Sequence, residues 1–201
     1  MKIFIIIPVF AVVISLFVFI IDYFQKYRDK SIIEKQKLKR KGETDQSIRG
    51  LLGFSFFDKS AKILVYYVYP GQRSKTGCFI NVILERISAP GLFLCPSNFT
   101  NVSEEQYSSG APISLGNISF DRKFKVFSRD DRFARKCINL DLQRILLARI
   151  NIPISLRIKQ NNLMLHIRSF PANEKVLDDL INISFLFRDK LVEMSRGERQ
   201  L

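Results

Sequence analysis

Residues 152–168, IPISLRIKQNNLMLHIR, indicate the fold most clearly. Two apolar segments, Ile152–Lys159 and Leu163–Arg168, are separated by the short polar run Gln160-Asn161-Asn162. This spacing and composition are typical of two antiparallel strands joined by a tight turn. We therefore predict a β-hairpin over these residues.

A helix is predicted on each side of this hairpin. Ser128 is a candidate N-cap for a helix that extends to about Arg149, and Asn173 is a candidate N-cap for a helix from Glu174 to about Met194. Apolar residues recur at helical spacing in both segments, which predicts one buried face for each helix. The predicted buried positions are Phe133, Cys137, Leu140 and Ile145 in the first helix, and Val176, Leu177, Leu180, Phe187 and Leu191 in the second.

The first half of the chain is predicted to be rich in strands. Lys62–Tyr69, KILVYYVY, is β-branched and aromatic and gives the strongest strand signal. Residues 97–117 are polar and lack periodicity, which predicts a long loop that is either functional or only flexible. The remaining predicted strands are Phe54–Phe57, Cys78–Ile87, Gly91–Cys95 and Phe120–Phe127. Together these elements predict an α+β domain with a mostly antiparallel sheet covered by two helices.

The N-terminal segment Ile3–Ile21, IFIIIPVFAVVISLFVFII, contains no charged side chain. As a helix it would be about 28 Å long, close to the roughly 30 Å of bilayer hydrocarbon. A cleaved signal peptide would need a small-residue cleavage site, and the sequence that follows is Asp22-Tyr23-Phe24-Gln25. A soluble core helix would normally have a polar face, and Ser15 is the only polar side chain here. We therefore predict a single transmembrane anchor over residues 1–24.

The residues after this anchor predict its orientation. Residues 25–50 form a basic juxtamembrane stalk and linker, and cations beside a membrane span stay on the cytoplasmic side. We expect residues 51–201 to form a cytoplasmic domain at the inner membrane. Clusters of this kind also attract anionic lipid headgroups. The predicted anionic-lipid contacts are Lys26, Arg28, Lys30, Lys35, Lys37, Lys39, Arg40 and Lys41.

The charge balance favours acidic partners. The chain has a formal net charge of +13, and the part from Thr44 onward has 23 basic and 15 acidic residues, a net charge of +8. Such a domain suits anionic lipid or an acidic protein. We expect no nucleic-acid partner, because no aromatic–basic or DNA-binding motif accompanies the charge. One cluster is either a partner surface or an ordinary solvated face with local pairs such as Asp131–Arg135; it consists of Arg122, Lys123, Lys125, Arg129, Arg132, Arg135 and Lys136.

The sequence gives little sign of catalysis. His166 is the single histidine, and it alternates with apolar residues in a predicted strand, which favours a structural role. Phosphate-binding, dinucleotide-binding and nucleophile-elbow motifs are absent from the sequence. Cys78, Cys95 and Cys137 have apolar neighbours and are predicted to be buried, reduced thiols. We predict no cofactor, no metal and no catalytic residue.

The second half of the chain resembles a family of bacterial membrane proteins of unknown function. The resemblance lies in FDRKFKVFSRDDRFARKCINLDLQRILL (120–147) and ISLRIKQNNLMLHI (154–167), and the larger members of the family also carry a region that resembles Gly77–Ile80. It implies a membrane-associated domain without an established activity. Members of that family commonly have two spans near the N-terminus, whereas one is predicted here. The matching positions are Phe120, Phe124, Val126, Ser128, Asp130, Ala134 and Arg135.

These observations predict a single-pass membrane protein whose cytoplasmic domain is a protein-interaction module at the bilayer surface, where anchoring raises its local concentration. Two other functions stay open. One is an enzyme acting on a membrane-associated substrate, with a site formed by the 97–117 loop and His166, and the other is a binder of anionic lipid surfaces. The small residues Ala11 and Ser15 have the spacing that lets two anchors pack together, so a homo-oligomer is compatible with the sequence.

Overall fold

A seven-stranded sheet is the centre of the computed structural model, within the residues that the structure describes. These are residues 3–45, 51–59, 61–69, 77–85, 87–99, 111–149 and 153–197, with side chains for all except residues 3–13, 149 and 197. The strands are β1 (Leu52–Asp58), β2 (Ala61–Val68), β3 (Gly77–Leu84), β4 (Ala89–Pro96), β5 (Phe124–Ser128), β6 (Ile154–Gln160) and β7 (Asn162–Ile167). Their order across the sheet is β1-β2-β3-β7-β6-β4-β5, and every pair of neighbours is antiparallel.

One face of this sheet and the helices enclose the main hydrophobic core. Alternate residues of each strand, such as Ile63 and Ile80, point into it and are fully buried, as expected for strands covered on one face. Helix α5 packs on β3 and β7, and α1 packs on β1 and α5. The helices are α1 (Ile3–Lys39), α2 (Ile118–Lys123), α3 (Asp131–Cys137), α4 (Leu140–Arg149) and α5 (Glu174–Gly197). The predicted α+β class with an antiparallel sheet is therefore confirmed, with more helices covering the sheet than the two predicted.

The predicted hairpin is confirmed. Strands β6 and β7 pair from Ile154↔Ile167 to Lys159↔Asn162, and Gln160 adopts a left-handed backbone conformation (φ 54°) at the turn. Leu156, Ile158 and Leu165 are fully buried on the core face. The period-two pattern read from the sequence thus corresponds to the two faces of the sheet.

The two halves of the chain share one sheet through a long-range strand pair. β3, from the first half, pairs with β7 from the second, for example at Ile80↔Leu165. β4 then lies between β5 and β6, pairing with both. The first-half strands therefore do not form a separate layer, and the core is continuous across the molecule.

The predicted strand Phe120–Phe127 is wrong in its first half. Residues up to Lys123 form helix α2, capped by Asn117, whose side-chain oxygen accepts a hydrogen bond from the Phe120 backbone N–H. Phe120 and Phe124 are four residues apart, so a helical turn also brings their rings together, with centroids at 5.0 Å. Only Phe124–Ser128 continues as strand β5.

The single helix predicted from Ser128 to Arg149 is also corrected. Its N-cap is Asp130, whose carboxylate accepts a hydrogen bond from Phe133 N at 2.9 Å, while Ser128 donates to the Gly91 carbonyl. The helix ends at Cys137, and α4 begins after Asn139, whose side chain accepts from Leu142 N at 3.0 Å. Asn139 is a typical N-cap residue, so it starts a second helix.

Helix α1 contains the segment predicted to span a membrane. Within the described part of the chain, no helix has both the length and the apolar character required to cross a bilayer. The side chains of residues 3–13, which belong to the predicted span Ile3–Ile21, lie outside the described part. From Ile14 to Arg28 every residue of α1 is exposed, including Phe17 and Phe19.

Candidate functional site

The segment predicted as a basic stalk is helical as far as Lys39, and one of its faces packs on the domain. Ile32, Ile33 and Gln36 are buried, and Asp29 is only 4% exposed. Residues three and four apart lie on one face of a helix, so these four form a stripe toward the sheet and α5. We call the region where residues 27–40, the end of α1 and the residue after it, meet residues 172–178 the α1–α5 junction.

Ion pairs and hydrogen bonds close this junction. Lys35 pairs with Glu174 at 2.9 Å, and Gln36 donates to the Glu174 carbonyl at 3.2 Å. Lys39 (3.0 Å) and Arg40 both pair with Asp178. Burial opposes ionisation of Asp178, but hydrogen bonds and positive charge from these two cations hold its pKa below the ordinary value.

Arg40 also binds through its flat face. Its guanidinium lies 5.4 Å from the ring centroids of both Phe56 and Phe185, and its side chain is mostly buried. Such stacking favours arginine over lysine, because the guanidinium is planar and weakly hydrated. Arg40 therefore ties the end of α1 to β1 and α5 at once.

A groove of about 540 Å³ lies beside these pairs, between α1 and the start of α5. Its volume falls within the range of small-molecule sites, about 300–1,000 Å³. The groove has a mainly apolar surface and includes three cations among its lining residues. Its lining residues are Tyr27, Arg28, Ser31, Ile32 and Lys35 from α1, and Ala172, Asn173, Glu174 and Lys175 from the start of α5.

A buried carboxylate lies next to this groove. Burial raises the pKa of Asp29, while Arg28, whose guanidinium is 3.4 Å from the carboxylate, acts in the opposite direction. Burial first, and then the negative charge of Asp29, raise the pKa of Tyr69 to about 12. The Asp29 carboxyl group thus lies at a site of low polarity, with Arg28 as its cationic neighbour.

The eight predicted lipid-contact cations have different surroundings. Lys35, Lys39 and Arg40 pair with α5, as described above. Lys26 pairs with Asp22 at 2.8 Å, and Lys37 donates to the Thr44 hydroxyl. Within the described residues, Lys30 and Lys41 have no ion-pair partner. Part of the predicted lipid-contact set therefore holds the domain together, and contact of the set with lipid stays a prediction.

The second predicted basic cluster lies near the opposite edge of the sheet. Six of its seven cations are exposed, and Lys125 in β5 is partly buried. Lys123 lies 5.9 Å from the Phe124 ring centroid. Within the described part of the chain, Asp131 and Arg135 do not form the ion pair that would have neutralised part of this cluster. We call the seven residues the α2–α3 basic patch.

His166 lies on the other face of the sheet, away from the junction. Its ring stacks on Phe79 with centroids 4.4 Å apart, and Phe79 stacks on Tyr66 at 5.1 Å. The Nδ1 atom of His166 lies 3.4 Å from the Ser155 hydroxyl. The loop proposed to share an enzyme site with His166 is described only at 97–99 and 111–117, so most of that site lies outside the described residues. Among described side chains, no group of three or more His, Cys, Asp or Glu is placed to hold a metal.

Sequence reasoning missed the acidic half of the junction. Glu174 and Asp178 lie at the start of α5, where the helix dipole alone explains negative charge. The pair Ile32-Ile33 inside a charged run was the available signal that α1 packs on the domain. All three cysteines are free and buried within the described structure, which confirms that prediction.

Comparison with known proteins gives a relationship of fold. No family model matches this chain, and no curated protein matches it. The crystal structure of the mycobacterial trehalose monomycolate transport factor A, TtfA, is similar with a TM-score of 0.57 at 13% sequence identity, covering 82% of this chain and 93% of that one. At this identity the likeness shows a shared fold. The resemblance to bacterial membrane proteins of unknown function stays a prediction.

Proposed function

We propose that this chain is a single-pass membrane protein whose α+β domain binds another protein at the cytoplasmic surface of the bilayer. The observation that carries the proposal is the continuity of α1. One helix runs from exposed apolar residues such as Phe17 and Phe24 to the buried Ile32 and Ile33 of the domain. A domain joined in this way to an anchor would be held next to the bilayer, within reach of other membrane proteins.

The charges on α1 support the cytoplasmic orientation. The acyl-facing segment would end near Ile21, and the cations from Lys26 to Lys41 follow it directly. Positively charged residues next to a span stay on the cytoplasmic side. The exposed aromatic residues Tyr23, Phe24 and Tyr27 would then lie at the interface, where such rings are common.

The α2–α3 basic patch is the surface that we propose for the partner. Arg132, Arg135 and Lys136 are exposed on α3. A cluster of one sign of charge favours a partner of opposite charge and accelerates its association. The partner surface is therefore expected to be acidic.

The likeness to TtfA is one of fold. TtfA is a mycobacterial trehalose monomycolate transport factor. A factor in a transport process is compatible with a domain that binds other proteins at a membrane.

Anchoring is tested by extraction and topology. The full chain is expected to stay in the membrane fraction after washing at alkaline pH, because the apolar segment would be embedded in lipid. A cysteine placed at the exposed position Lys159 is expected to resist an impermeant thiol reagent in intact cells and to react in lysed cells. Release by the alkaline wash, or labelling in intact cells, would contradict the proposal.

The partner surface is tested by site-specific crosslinking in membranes. A photoreactive residue at Lys136 is expected to give a discrete protein adduct. Reversing two patch charges (Arg132→Glu/Arg135→Glu) is expected to reduce this adduct about tenfold, since like charges would then face each other. The matched control, Lys159→Glu/Arg196→Glu, makes the same charge change at exposed positions outside the patch. Equal loss in both variants would show that only total charge matters.

A further inference from the structure

We infer that the groove between α1 and the start of α5 binds one anionic phospholipid of the cytoplasmic leaflet. This inference rests on the membrane anchoring proposed above. The groove begins at Tyr27 and Arg28. Arg28 follows Ile21 by about 10 Å along a helix, since each residue rises about 1.5 Å. If the span ends near Ile21, the groove opens at the level of the lipid headgroups.

The groove offers both the apolar surface and the positive charge that an anionic phospholipid requires. Ile32 and Ala172 give it apolar lining, and Arg28 and Lys175 are cations among its lining residues. Both Lys35 and Arg28 have an ion-pair partner, Glu174 at 2.9 Å for Lys35 and Asp29 at 3.4 Å for Arg28. The Arg28 pair is the longer one and uses one guanidinium nitrogen, so the other N–H groups of this 54% exposed side chain can reach a ligand. A guanidinium matches the geometry of a phosphate with two parallel hydrogen bonds, so Arg28 is the expected phosphate contact.

The surface of α1 continues from the groove toward the predicted span. Phe17, Ile21, Phe24 and Arg28 recur at intervals of three and four residues, so they lie along one face of the helix. The first three are exposed apolar side chains. The acyl chains of a lipid whose phosphate is bound by Arg28 would thus lie along these exposed apolar side chains.

Other occupants use only part of this surface. A free inorganic anion would leave the apolar lining of the groove and the exposed apolar side chains of α1 next to it uncovered. An apolar peptide would leave Arg28 and Lys175 facing an uncharged ligand, a poor match for two cations. One lipid molecule satisfies both parts of the groove.

The test is native mass spectrometry of the full chain in a neutral detergent, with dioleoylphosphatidylglycerol and dioleoylphosphatidylcholine as probes. We expect one retained phosphatidylglycerol per chain, in preference to phosphatidylcholine. Arg28→Gln/Lys175→Gln is expected to weaken retention about tenfold, whereas Lys159→Gln/Arg196→Gln, which removes the same charge at exposed positions elsewhere, changes it less than about twofold. Ala172→Trp fills the groove and keeps both cations, so a similar loss of phosphatidylglycerol retention is expected. This variant provides the test if the double variant does not fold.

Several results would overturn the inference. Equal weakening by both double variants would indicate general charge attraction, and full competition by inorganic phosphate would indicate a free anion. A photoreactive residue at Ser31 that captures a protein and no lipid would assign the groove to a protein partner. A chain that resists alkaline extraction but retains no phosphatidylglycerol would refute the groove alone, whereas extraction of the chain would refute the anchoring proposal itself.

Discussion

At the scale of single residues, Arg188 shows how this fold accommodates a buried charge. It lies on α5 and is 2% exposed. Its guanidinium bonds Asp58 at the end of β1 and Asp189 beside it, and lies 4.5 Å from the Phe185 ring centroid. A buried cation is tolerated only when it is paired and hydrogen-bonded. Arg188 therefore connects the edge of the sheet to α5.

The two sides of this ion pair are not equivalent, which gives a prediction. Asp58 and Asp189 are much more exposed than Arg188. Asp58→Asn/Asp189→Asn leaves a buried charge without a counterion and is expected to lower the free energy of unfolding by about 3 kcal/mol. Arg188→Met leaves two carboxylates that reach water, so it is expected to lower the free energy of unfolding by less. Thermal unfolding of the detergent-solubilised full chain measures both.

The control for this comparison is Glu193→Gln. Glu193 has a 69% exposed side chain and pairs with Lys190 on the same helix, so a change below about 0.5 kcal/mol is expected. A larger loss for Arg188→Met than for the double carboxylate variant would show that packing of the arginine stem, rather than charge pairing, dominates at this site.

The cysteines give a second prediction at this scale. Burial raises the pKa of Cys78 and Cys137 to about 12 and that of Cys95 to about 11. The thiolate is the reactive form, so none of the three is expected to react with a maleimide at neutral pH while the chain is folded. All three should react after denaturation. The added cysteine at Lys159 should label in the folded chain, and fast labelling of an unsubstituted folded chain would contradict the burial of these thiols.

At the scale of elements, local signals determined which parts of the fold the sequence could predict. The β6–β7 hairpin and α5 have clear periodicity and caps, and Asn173 does cap α5 by accepting from Val176 N at 3.0 Å. Phe120 and Phe124 fit a strand and a helical turn equally well, because both periods return to the same face after four residues. Asn117, a typical N-cap residue, is the signal in the sequence that favours the helix.

The candidate site depended on contacts that are distant in sequence. The β3–β7 pair and the α1–α5 junction join residues far apart in the chain, and no local pattern specifies them. Lys39 and Arg40 carry the same charge whether they face lipid or Asp178. The cations could therefore be identified from sequence, but their partners required the structure.

The packing of α1 on the domain is tested by one buried and one exposed position. Ile33→Ala removes a side chain that is 1% exposed and is expected to lower the free energy of unfolding by about 2–4 kcal/mol. Leu38→Ala changes a residue of the same helix that is 77% exposed and is expected to have little effect. Chemical unfolding of both variants provides the measurement. Equal, small effects would show that α1 does not belong to the core.

The ion pairs of the junction predict a dependence on pH. Because the folded-state pKa of Asp178 lies below its ordinary value of 3.8, its pairing stabilises the fold above that pH and is lost as the pH falls through the folded pKa. Asp178→Asn is expected to lower the free energy of unfolding by about 1 kcal/mol at neutral pH. This difference from the unsubstituted chain should vanish at strongly acidic pH, as measured by urea unfolding at several pH values. A difference that stays constant with pH would assign the effect to packing.

At the scale of the whole molecule, both edges of the sheet are partly covered. Glu43 exchanges two backbone hydrogen bonds with Ser55 at the β1 edge, and Ile113 N donates to the Val126 carbonyl at the β5 edge. Covered edges do not readily accept an additional strand from another chain. A protein partner is therefore more compatible with side-chain surfaces such as the α2–α3 basic patch than with strand addition.

The continuity of α1 gives the last prediction, which concerns the height of the domain above the bilayer. Seven helix-forming residues inserted between Phe24 and Gln25 should raise the domain by about 10 Å and return it close to its original rotation, because a helix rises about 1.5 Å per residue and seven residues are nearly two turns. Energy transfer from a donor at Lys159→Cys to acceptor lipids in vesicles measures this height. Seven Gly/Ser residues at the same point form the control, since a flexible linker separates the height of the domain from the length of the helix. A rigid α1 predicts a defined increase only for the helical insertion, and equal results for the two insertions would mean that α1 bends between the apolar segment and the domain.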